Sequence, residues 1–82
     1  MKIIFSKKFT REFNKIKDRN TKLKIMKNIK KIQNLPHSGK PLRYKLKHYR
    51  RLVVKPFRII YRIEDNKIII NCFEHRKKVY KR

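Results

Sequence analysis

Apolar residues in the first half of the chain recur at helical spacing. An apolar run at residues 3–5 is typical of a short strand, and Ser6, which follows it, is suited to cap a helix. The apolar positions of that helix fall at i, i+4 and i+7: Phe9, Phe13 and Ile16. Residues 18–21 interrupt the pattern and supply a second N-cap, and helical spacing then continues up to Leu35-Pro36, where the proline ends the helix. The pattern predicts a strand followed by a hairpin of two amphipathic helices.

The hydrophobic period changes to two after a loop at residues 37–41, and the chain becomes rich in β-branched and aromatic residues. This alternation predicts three antiparallel strands, at about 49–55, 57–64 and 67–74. The turns between them fall at Lys55-Pro56 and Asp65-Asn66, and Asp and Asn both tolerate the left-handed backbone of a tight hairpin. The predicted fold class is α+β in one domain, residues 1–82. It has an N-terminal strand, a two-helix hairpin and an antiparallel three-stranded meander, with the helices packed on one face of a twisted sheet.

The two turns also predict how the strands pair. With two-residue loops, Val54 lies opposite Phe57, and Arg58 lies opposite Phe73. Directly paired side chains point to the same face of a sheet. One face is then apolar and should lie against the helices: Leu52, Val54, Phe57, Ile59, Tyr61, Ile63, Ile68, Ile70 and Cys72. The other face mixes basic and apolar residues: Arg51, Val53, Arg58, Ile60, Arg62, Ile69, Phe73 and His75.

The charge of the chain indicates what kind of partner it binds. The chain has 27 Lys and Arg residues against 5 Asp and Glu, a formal net charge of +22. A domain this basic is suited to a polyanion, because each cation that neutralises a phosphate releases a condensed counterion. Nucleic acid is therefore the first hypothesis, and an acidic protein or an anionic membrane surface is the alternative.

Other kinds of chemistry have little support in the sequence. Cys72 is the one cysteine, which excludes an internal disulfide, and the 3 histidines lack the spacing of a zinc site. We expect no metal and no cofactor. No apolar run approaches the roughly 20 residues of a membrane span, and charge follows the first apolar residues too soon for a signal peptide. We expect a soluble cytoplasmic protein.

The mixed face of the sheet is the predicted functional surface. Its guanidinium groups can hold a phosphate bidentately, beside an aromatic ring and a histidine. Single-stranded RNA is commonly bound in this way, by bases stacked on aromatic side chains next to a basic groove. A solvated sheet face, covered in part by the C-terminal residues or by a partner chain, explains the same pattern about equally well.

Four stretches occur in a characteristic order along the chain. They are Gly39-Lys40-Pro41-Leu42, Tyr49-Arg50-Arg51-Leu52, FRIIYRI at residues 57–63 and HRKKVY at residues 75–80. Together with the helical hairpin, this order resembles the RelE/ParE toxin superfamily, most of all the RelE-type toxins of toxin–antitoxin systems. The resemblance implies an mRNA interferase, a ribosome-dependent endoribonuclease that cleaves messenger RNA in the ribosomal A site. In that reaction the 2′-hydroxyl attacks the adjacent phosphate, which requires a base, positive charge and an acid.

The resemblance also implies residue roles. Arg58 matches the strand arginine that binds the scissile phosphate, and Arg51 matches a basic position on the preceding strand. Arg76 matches an arginine that stabilises charge or assists the leaving group. Tyr80 matches a C-terminal tyrosine that stacks on a base or assists the chemistry.

Further candidates follow from residue type and from position on the predicted face. His75 is suited to act as an acid or a base near neutral pH. Many relatives have a second basic residue two positions after Arg51, where this chain has Val53, which weakens the case for a full cationic clamp. Catalytic residues vary widely within the superfamily, so the general base and acid stay unassigned. Four other side chains are candidates for contact with RNA: Lys45, Lys47, Arg62 and Phe73.

Other interpretations remain open. A ParE-like toxin that inhibits DNA gyrase would share the fold without needing the cationic cluster around His75. A non-catalytic basic protein that binds ribosomal RNA would share the charge. A membrane-active cationic protein fits less well, because the apolar faces of its helices are required by the sheet.

Partners are implied as well. The resemblance implies a cognate acidic antitoxin of RelB type, in a heterotetramer or heterodimer, with the ribosome and mRNA as the other partners and no membrane. We expect the antitoxin to bind the open side of the sheet, where Ile60, Ile69 and Phe73 are suited to an acidic segment that orders on binding.

Overall fold

Two helices pack against one side of a five-stranded sheet in the computed structural model, which describes residues 1–42 and 48–75. The elements are β1 (Lys2–Phe5), α1 (Lys7–Asn14), α2 (Arg19–Asn34), β2 (Lys40–Pro41), β3 (Tyr49–Val54), β4 (Phe57–Glu64) and β5 (Lys67–His75). The strand order is β1-β5-β4-β3-β2, and β1 runs parallel to β5 while the other neighbours are antiparallel. The predicted α+β fold, with its N-terminal strand, helical hairpin and meander, is confirmed. The short strand β2 was not predicted.

Both helices begin where the sequence pattern indicates. The Ser6 Oγ accepts a hydrogen bond from the Phe9 amide at 3.0 Å and donates one to the carbonyl of Asn71, so it ties the start of α1 to β5. Asp18 is the N-cap of α2, and its carboxylate accepts from the Thr21 hydroxyl at 2.6 Å. That hydrogen bond lowers the pKa of Asp18. The Ser6 side chain thus caps the backbone of α1, whereas the Asp18 side chain contacts the Thr21 hydroxyl and makes no capping hydrogen bond to the backbone of α2.

The β3–β4 hairpin has the predicted register throughout, with Val54 opposite Phe57 and Leu52 opposite Ile59. The turn between β4 and β5 is also as predicted. Asp65 and Asn66 have positive φ angles of 48° and 61°, the left-handed conformation that a tight hairpin requires. Turn chemistry was therefore sufficient to align these strands up to the middle of β5.

A β-bulge at Asn71 changes the second half of the β4–β5 pairing. Tyr61 pairs with Ile70 as predicted, but its neighbour Ile60 pairs with Cys72, so Asn71 has no partner on β4. The predicted pairing of Arg58 with Phe73 is wrong, because the extra residue brings Glu74 opposite Arg58. Beyond the bulge, each β5 side chain lies on the opposite side of the sheet from its predicted one.

The core lies between the helices and the sheet. Its buried members come from both layers: Phe9, Ile25, Ile29, Ile32, Val54, Ile59, Tyr61, Ile68, Ile70 and Phe73. Phe73 packs edge-on against Phe9 and Phe57, with ring centroids 5.5 and 5.4 Å apart. The predicted apolar face is confirmed except at Cys72, which lies on the other side of the sheet, next to Arg58 and Ile60. Phe73 takes its place in the core.

Tyr61 anchors the loop that carries the only glycine. Its hydroxyl accepts from the Gly39 amide at 2.9 Å and donates to the Pro36 carbonyl at 2.8 Å. Arg50 donates to the Gly39 carbonyl at 2.8 Å. A Cβ atom on residue 39 would lie 2.5 Å from the Tyr61 hydroxyl, so only glycine fits there without a shift. This explains the Gly39-Lys40-Pro41-Leu42 stretch as a structural requirement.

Candidate functional site

The side of the sheet opposite the helices, called here the open face, brings together side chains from three strands. They are Tyr49 and Arg51 of β3, Arg58, Ile60 and Arg62 of β4, and Asn71, Cys72 and Glu74 of β5. Cross-strand pairing places Arg51 beside Ile60 and Tyr49 beside Arg62, because paired residues point to the same face. The bulge adds Cys72 and Glu74 to this surface, next to Asn71.

A pocket of about 240 Å³ opens on this face. Its polar lining consists of an ammonium, a guanidinium, a carboxylate, an amide and a phenol, from Lys8, Arg58, Glu74, Asn71 and Tyr49. Leu42, Ile60 and Cys72 complete the lining. A concave site with a few convergent polar groups on an apolar floor is the ordinary form of a ligand site.

Arg58 and Glu74 form an ion pair within the pocket. The Nη2 and Nε atoms of Arg58 lie 3.2 and 3.4 Å from the Oε2 atom of Glu74. The two side chains are 22% and 39% exposed, so solvent reaches both and screens their attraction. Glu74 thus holds the Arg58 guanidinium in place. A phosphate that binds Arg58 would either displace the Glu74 carboxylate or bind the same guanidinium beside it.

Tyr49 and Arg62 form the second interaction of the open face. The guanidinium carbon of Arg62 lies 5.8 Å from the centre of the Tyr49 ring, within the range of a cation–π contact. The Nε atom of Arg62 also donates to Glu64 at 3.1 Å. The phenol ring is half-buried and lines the pocket. Its position beside a guanidinium suits it to stack on a nucleobase.

Arg51 is the least constrained arginine of the open face. It lies between Lys40 of β2 and Ile60 of β4 in the sheet and is half-buried. In the two described segments, its guanidinium makes no hydrogen bond or ion pair. It is therefore available to an anion bound on this face.

Cys72 is the buried thiol of the pocket wall. Burial raises the pKa of this thiol, and the nearby Glu74 carboxylate raises it further. A thiol in this environment stays protonated at neutral pH and is a poor nucleophile. Among the residues that the structure describes, no group of three His, Cys, Asp or Glu side chains is placed to hold a metal ion.

Three predictions about the open face are wrong, two of them because of the bulge. His75 pairs with Phe57 and packs edge-on against its ring at 5.3 Å, so it lies on the side of the helices and not beside Arg58. Phe73 is only 6% exposed in the core and has no ring face for a base. Ile60 is buried as well, so the apolar surface expected to bind an antitoxin is not exposed at these two positions.

Arg51, Arg58 and Arg62 do share the open face, as predicted. Four further predicted site residues lie outside the described residues: Lys45, Lys47, Arg76 and Tyr80. Sequence reasoning overlooked Tyr49, although the predicted register, extended by a few residues, places it opposite Arg62. Sequence reasoning also missed Glu74. No sequence signal marked the bulge, so regular alternation placed Glu74 on the side of the helices.

Comparison with known families identifies the chain by its sequence. The profile of the family described as the ParE toxin of the type II toxin–antitoxin system parDE matches residues 3–80. A search of curated proteins finds no match. Within the described segments, neither helix is long and apolar enough to cross a membrane.

Solved structures share the fold at low sequence identity. One is the toxin–antitoxin complex RelBE2 from Mycobacterium tuberculosis, with 24% identity, a TM-score of 0.77, and coverage of 92% of this chain and 96% of that chain. The RelB–RelE antitoxin–toxin complex from Methanococcus jannaschii has 23% identity, a TM-score of 0.71 and 95% coverage of both chains. The YoeB dimer from Staphylococcus aureus has 23% identity, a TM-score of 0.75, and coverage of 92% and 95%.

Proposed function

The chain belongs to the ParE toxin family of type II toxin–antitoxin systems, within the RelE/ParE superfamily, and on this premise we propose that it is a ribosome-dependent endoribonuclease that cleaves mRNA in the A site. The observation that carries the proposal is the open face. It combines a guanidinium suited to bind phosphate, an aromatic ring and a pocket on one surface of a strongly basic domain.

Arg58 would hold the scissile phosphate. Its guanidinium lies in the pocket, and among the residues that the structure describes a single, partly exposed carboxylate competes for it. A phosphate that takes over these donors gains charge-assisted hydrogen bonds, and the same groups stabilise the additional negative charge of the phosphorane-like transition state. Arg51, on the neighbouring strand of the same face, would add a second positive charge.

The Tyr49 ring would bind a nucleobase next to the scissile phosphate, with Arg62 against it. The basic outer surfaces of the helices would contact ribosomal RNA without sequence preference.

The roles that the family resemblance implies for the remaining residues are still predictions: those of Lys45, Lys47, Arg76 and Tyr80. His75 is a weaker candidate for proton transfer, because it lies across the sheet from Arg58.

The partner that would restrain this activity is an acidic antitoxin. The family is defined by toxin–antitoxin pairs, and structural neighbours from Mycobacterium tuberculosis and Methanococcus jannaschii are toxin–antitoxin complexes. A chain with a net charge of +22 is suited to a segment rich in Asp and Glu. Action on translating ribosomes would place the protein in the cytoplasm.

A gyrase-inhibiting toxin is the second candidate function. It is favoured by the family description, which names ParE, and by the position of His75 away from the arginines of the open face. Such a toxin would inhibit DNA supercoiling and leave translated messages intact.

Primer extension on a message translated in vitro tests the first proposal against the second. We expect new 5′ ends that appear only when ribosomes are present. Arg58→Ala should reduce their rate of formation by about 10²–10³-fold, the effect of removing one donor to a charged transition state. The control is Lys67→Ala, which removes a positive charge from an exposed position at the start of β5, outside the helices and the pocket, and should cleave normally.

If wild-type protein produces no new 5′ ends while translation continues, the ribonuclease proposal is wrong. Inhibition of gyrase supercoiling by the same preparation would then support the second candidate.

A further inference from the structure

We propose that Glu74 is the general base of the reaction, the group that takes the proton from the attacking 2′-hydroxyl of the RNA. This inference rests on the ribonuclease activity proposed above and assigns one of the two roles that the sequence left open. Glu74 reaches the site only because of the bulge at Asn71.

Glu74 is the only carboxylate among the described residues that line the pocket. Of its neighbours there, the Asn71 amide cannot accept a proton at neutral pH. Burial keeps the pKa of Cys72 raised, so that thiol is not an effective base either. His75 lies on the opposite side of the sheet.

Lys8 and Arg58 carry hydrogen-bond donors and no acceptor, and the Tyr49 ring is assigned to a nucleobase. The choice of general base therefore falls on the Glu74 carboxylate.

The ion pair places Glu74 next to the phosphate that Arg58 would bind. Both contacts of Arg58 go to the same oxygen, Oε2, at 3.2 and 3.4 Å. In the two described segments, the other oxygen, Oε1, accepts no hydrogen bond. The side chain is 39% exposed, so a substrate can reach it. One carboxylate oxygen can thus stay near the guanidinium while the other faces the substrate.

The distances suit proton transfer. A phosphate oxygen held by a guanidinium lies about 2.8 Å from its nitrogen atoms. The attacking 2′-oxygen lies roughly 3–3.5 Å from phosphorus in a reactive conformation. A carboxylate paired with that guanidinium is therefore within one side-chain adjustment of the 2′-hydroxyl. Catalytic hydrogen bonds of this kind tighten when substrate binds.

The step balances without any further reactant. The proton of the 2′-hydroxyl passes to Glu74 as the bond from the 2′-oxygen to phosphorus forms. The bond from phosphorus to the 5′-oxygen then breaks, and that oxygen takes a proton from water. The products are a 2′,3′-cyclic phosphate and a 5′-hydroxyl, and Glu74 returns its proton to solvent.

Single-turnover cleavage of ribosome-bound message by Glu74→Gln tests the proposal. The amide keeps the shape of the side chain but cannot take the proton, so we expect the rate to fall by about 10²–10⁴-fold. Glu74→Asp retains a carboxylate at a longer distance and should recover part of the loss. The control is Asp65→Asn, which removes an exposed carboxylate in the turn between β4 and β5 and keeps a side chain that tolerates the left-handed conformation there; it should cleave within about twofold of wild type.

A binding measurement separates a base from a residue that only positions Arg58. The probe is a ribosome-bound message with a 2′-deoxy nucleotide at the cleavage position, which the protein can bind but cannot cut. Glu74→Gln should bind this complex at least as tightly as wild type, because the carboxylate no longer competes with phosphate for Arg58.

Three results would overturn the proposal. Cleavage by Glu74→Gln within about threefold of wild type would exclude a base, whose removal costs far more. Parallel loss of binding and cleavage would show that Glu74 only positions Arg58. Absence of cleavage by wild type itself would overturn the ribonuclease function together with this inference, and so is distinguished from failure of the Glu74 assignment alone.

Discussion

The two sides of the sheet use polar groups in different ways. On the side of the helices, the Tyr61 hydroxyl is fully buried, and both its donor and its acceptor capacity are used, by Pro36 and Gly39. On the open face, two nitrogen atoms of Arg58 contact a single oxygen of Glu74, and both side chains remain partly exposed to water.

This difference separates stability from binding within the same strands. A buried and satisfied hydrogen bond cannot be removed without a penalty, because water does not replace the lost partner. A partly exposed ion pair contributes little to stability, and its members can exchange partners readily. We therefore expect substitutions on the helix side to change stability and substitutions on the open face to change activity.

The largest expected effect on stability comes from Phe73→Ala. Phe73 is buried against Phe9 and Phe57, and removal of a buried aromatic side chain lowers the free energy of unfolding by about 3–5 kcal/mol. Val53→Ala, on the exposed open face, is the control and should change it little. Equal urea midpoints for the two variants would contradict the side assigned to Phe73.

Gly39→Ala comes next. The added Cβ would lie 2.5 Å from the Tyr61 hydroxyl and 2.8 Å from the Arg51 carbonyl, so both must shift. Overpacking of this kind should lower the free energy of unfolding by about 2–3 kcal/mol, measured by urea denaturation. Ser38→Ala, at the adjacent exposed position, serves as the control. An unchanged midpoint for Gly39→Ala would show that the loop has room for a side chain.

Tyr61→Phe removes the hydroxyl that joins the loop to the sheet. The Gly39 amide then loses its partner inside the protein, at an expected loss of about 1–2 kcal/mol. Because the hydroxyl is also the atom closest to a Cβ at position 39, the double variant with Gly39→Ala should lose less than the sum of the two single variants. Strict additivity in this double-mutant cycle would contradict the contact.

Deletion of Asn71 should have a smaller effect. Ile70 and Cys72, on either side of Asn71, already pair with the adjacent β4 residues Tyr61 and Ile60. Deletion of Asn71 therefore removes the bulge without moving Phe73 or Glu74 to the other side of the sheet. The loss should be about 1 kcal/mol, mainly from the hydrogen bond that Ser6 donates to the Asn71 carbonyl. Loss of a cooperative unfolding transition would mean that the bulge itself holds the sheet together.

The smallest effect on stability should come from Glu74→Gln. Its ion pair with Arg58 is partly exposed, and pairs of this kind contribute less than about 1 kcal/mol. The thermal unfolding midpoint should therefore stay close to that of wild type, even where cleavage is lost. A large drop in the midpoint would show that Glu74 contributes mainly to stability.

Local sequence rules predicted most of the fold. Ser6, the Leu35-Pro36 step and the Asp65-Asn66 turn act over a few residues, so their effects can be deduced without knowing the rest of the chain. The strand register followed from those turns as far as Ile70. Arg58, Arg51 and Arg62 were correctly assigned to one face for the same reason.

The candidate site was harder to predict, because it depends on the position of one unpaired residue. A bulge at Asn71 reverses every side chain that follows on β5, and alternation of residue types cannot reveal it. The pattern assigned Cys72 to the core and Phe73 to the surface. The larger gain from burying an aromatic ring against Phe9 agrees with the opposite arrangement, which is the observed one.

The parallel pairing of β1 with β5 has a consequence for synthesis of the chain. Ile3 pairs with Ile68, and the Ser6 amide bonds the Ile70 carbonyl, so the first strand has its partner strand some 65 residues later. During translation, β1 stays without that partner until β5 leaves the ribosome, and contacts between such distant segments form late. The ion pair between Arg58 and Glu74 forms at the same stage, because Glu74 belongs to β5. A growing chain would therefore complete the open face only after β5 has been synthesised.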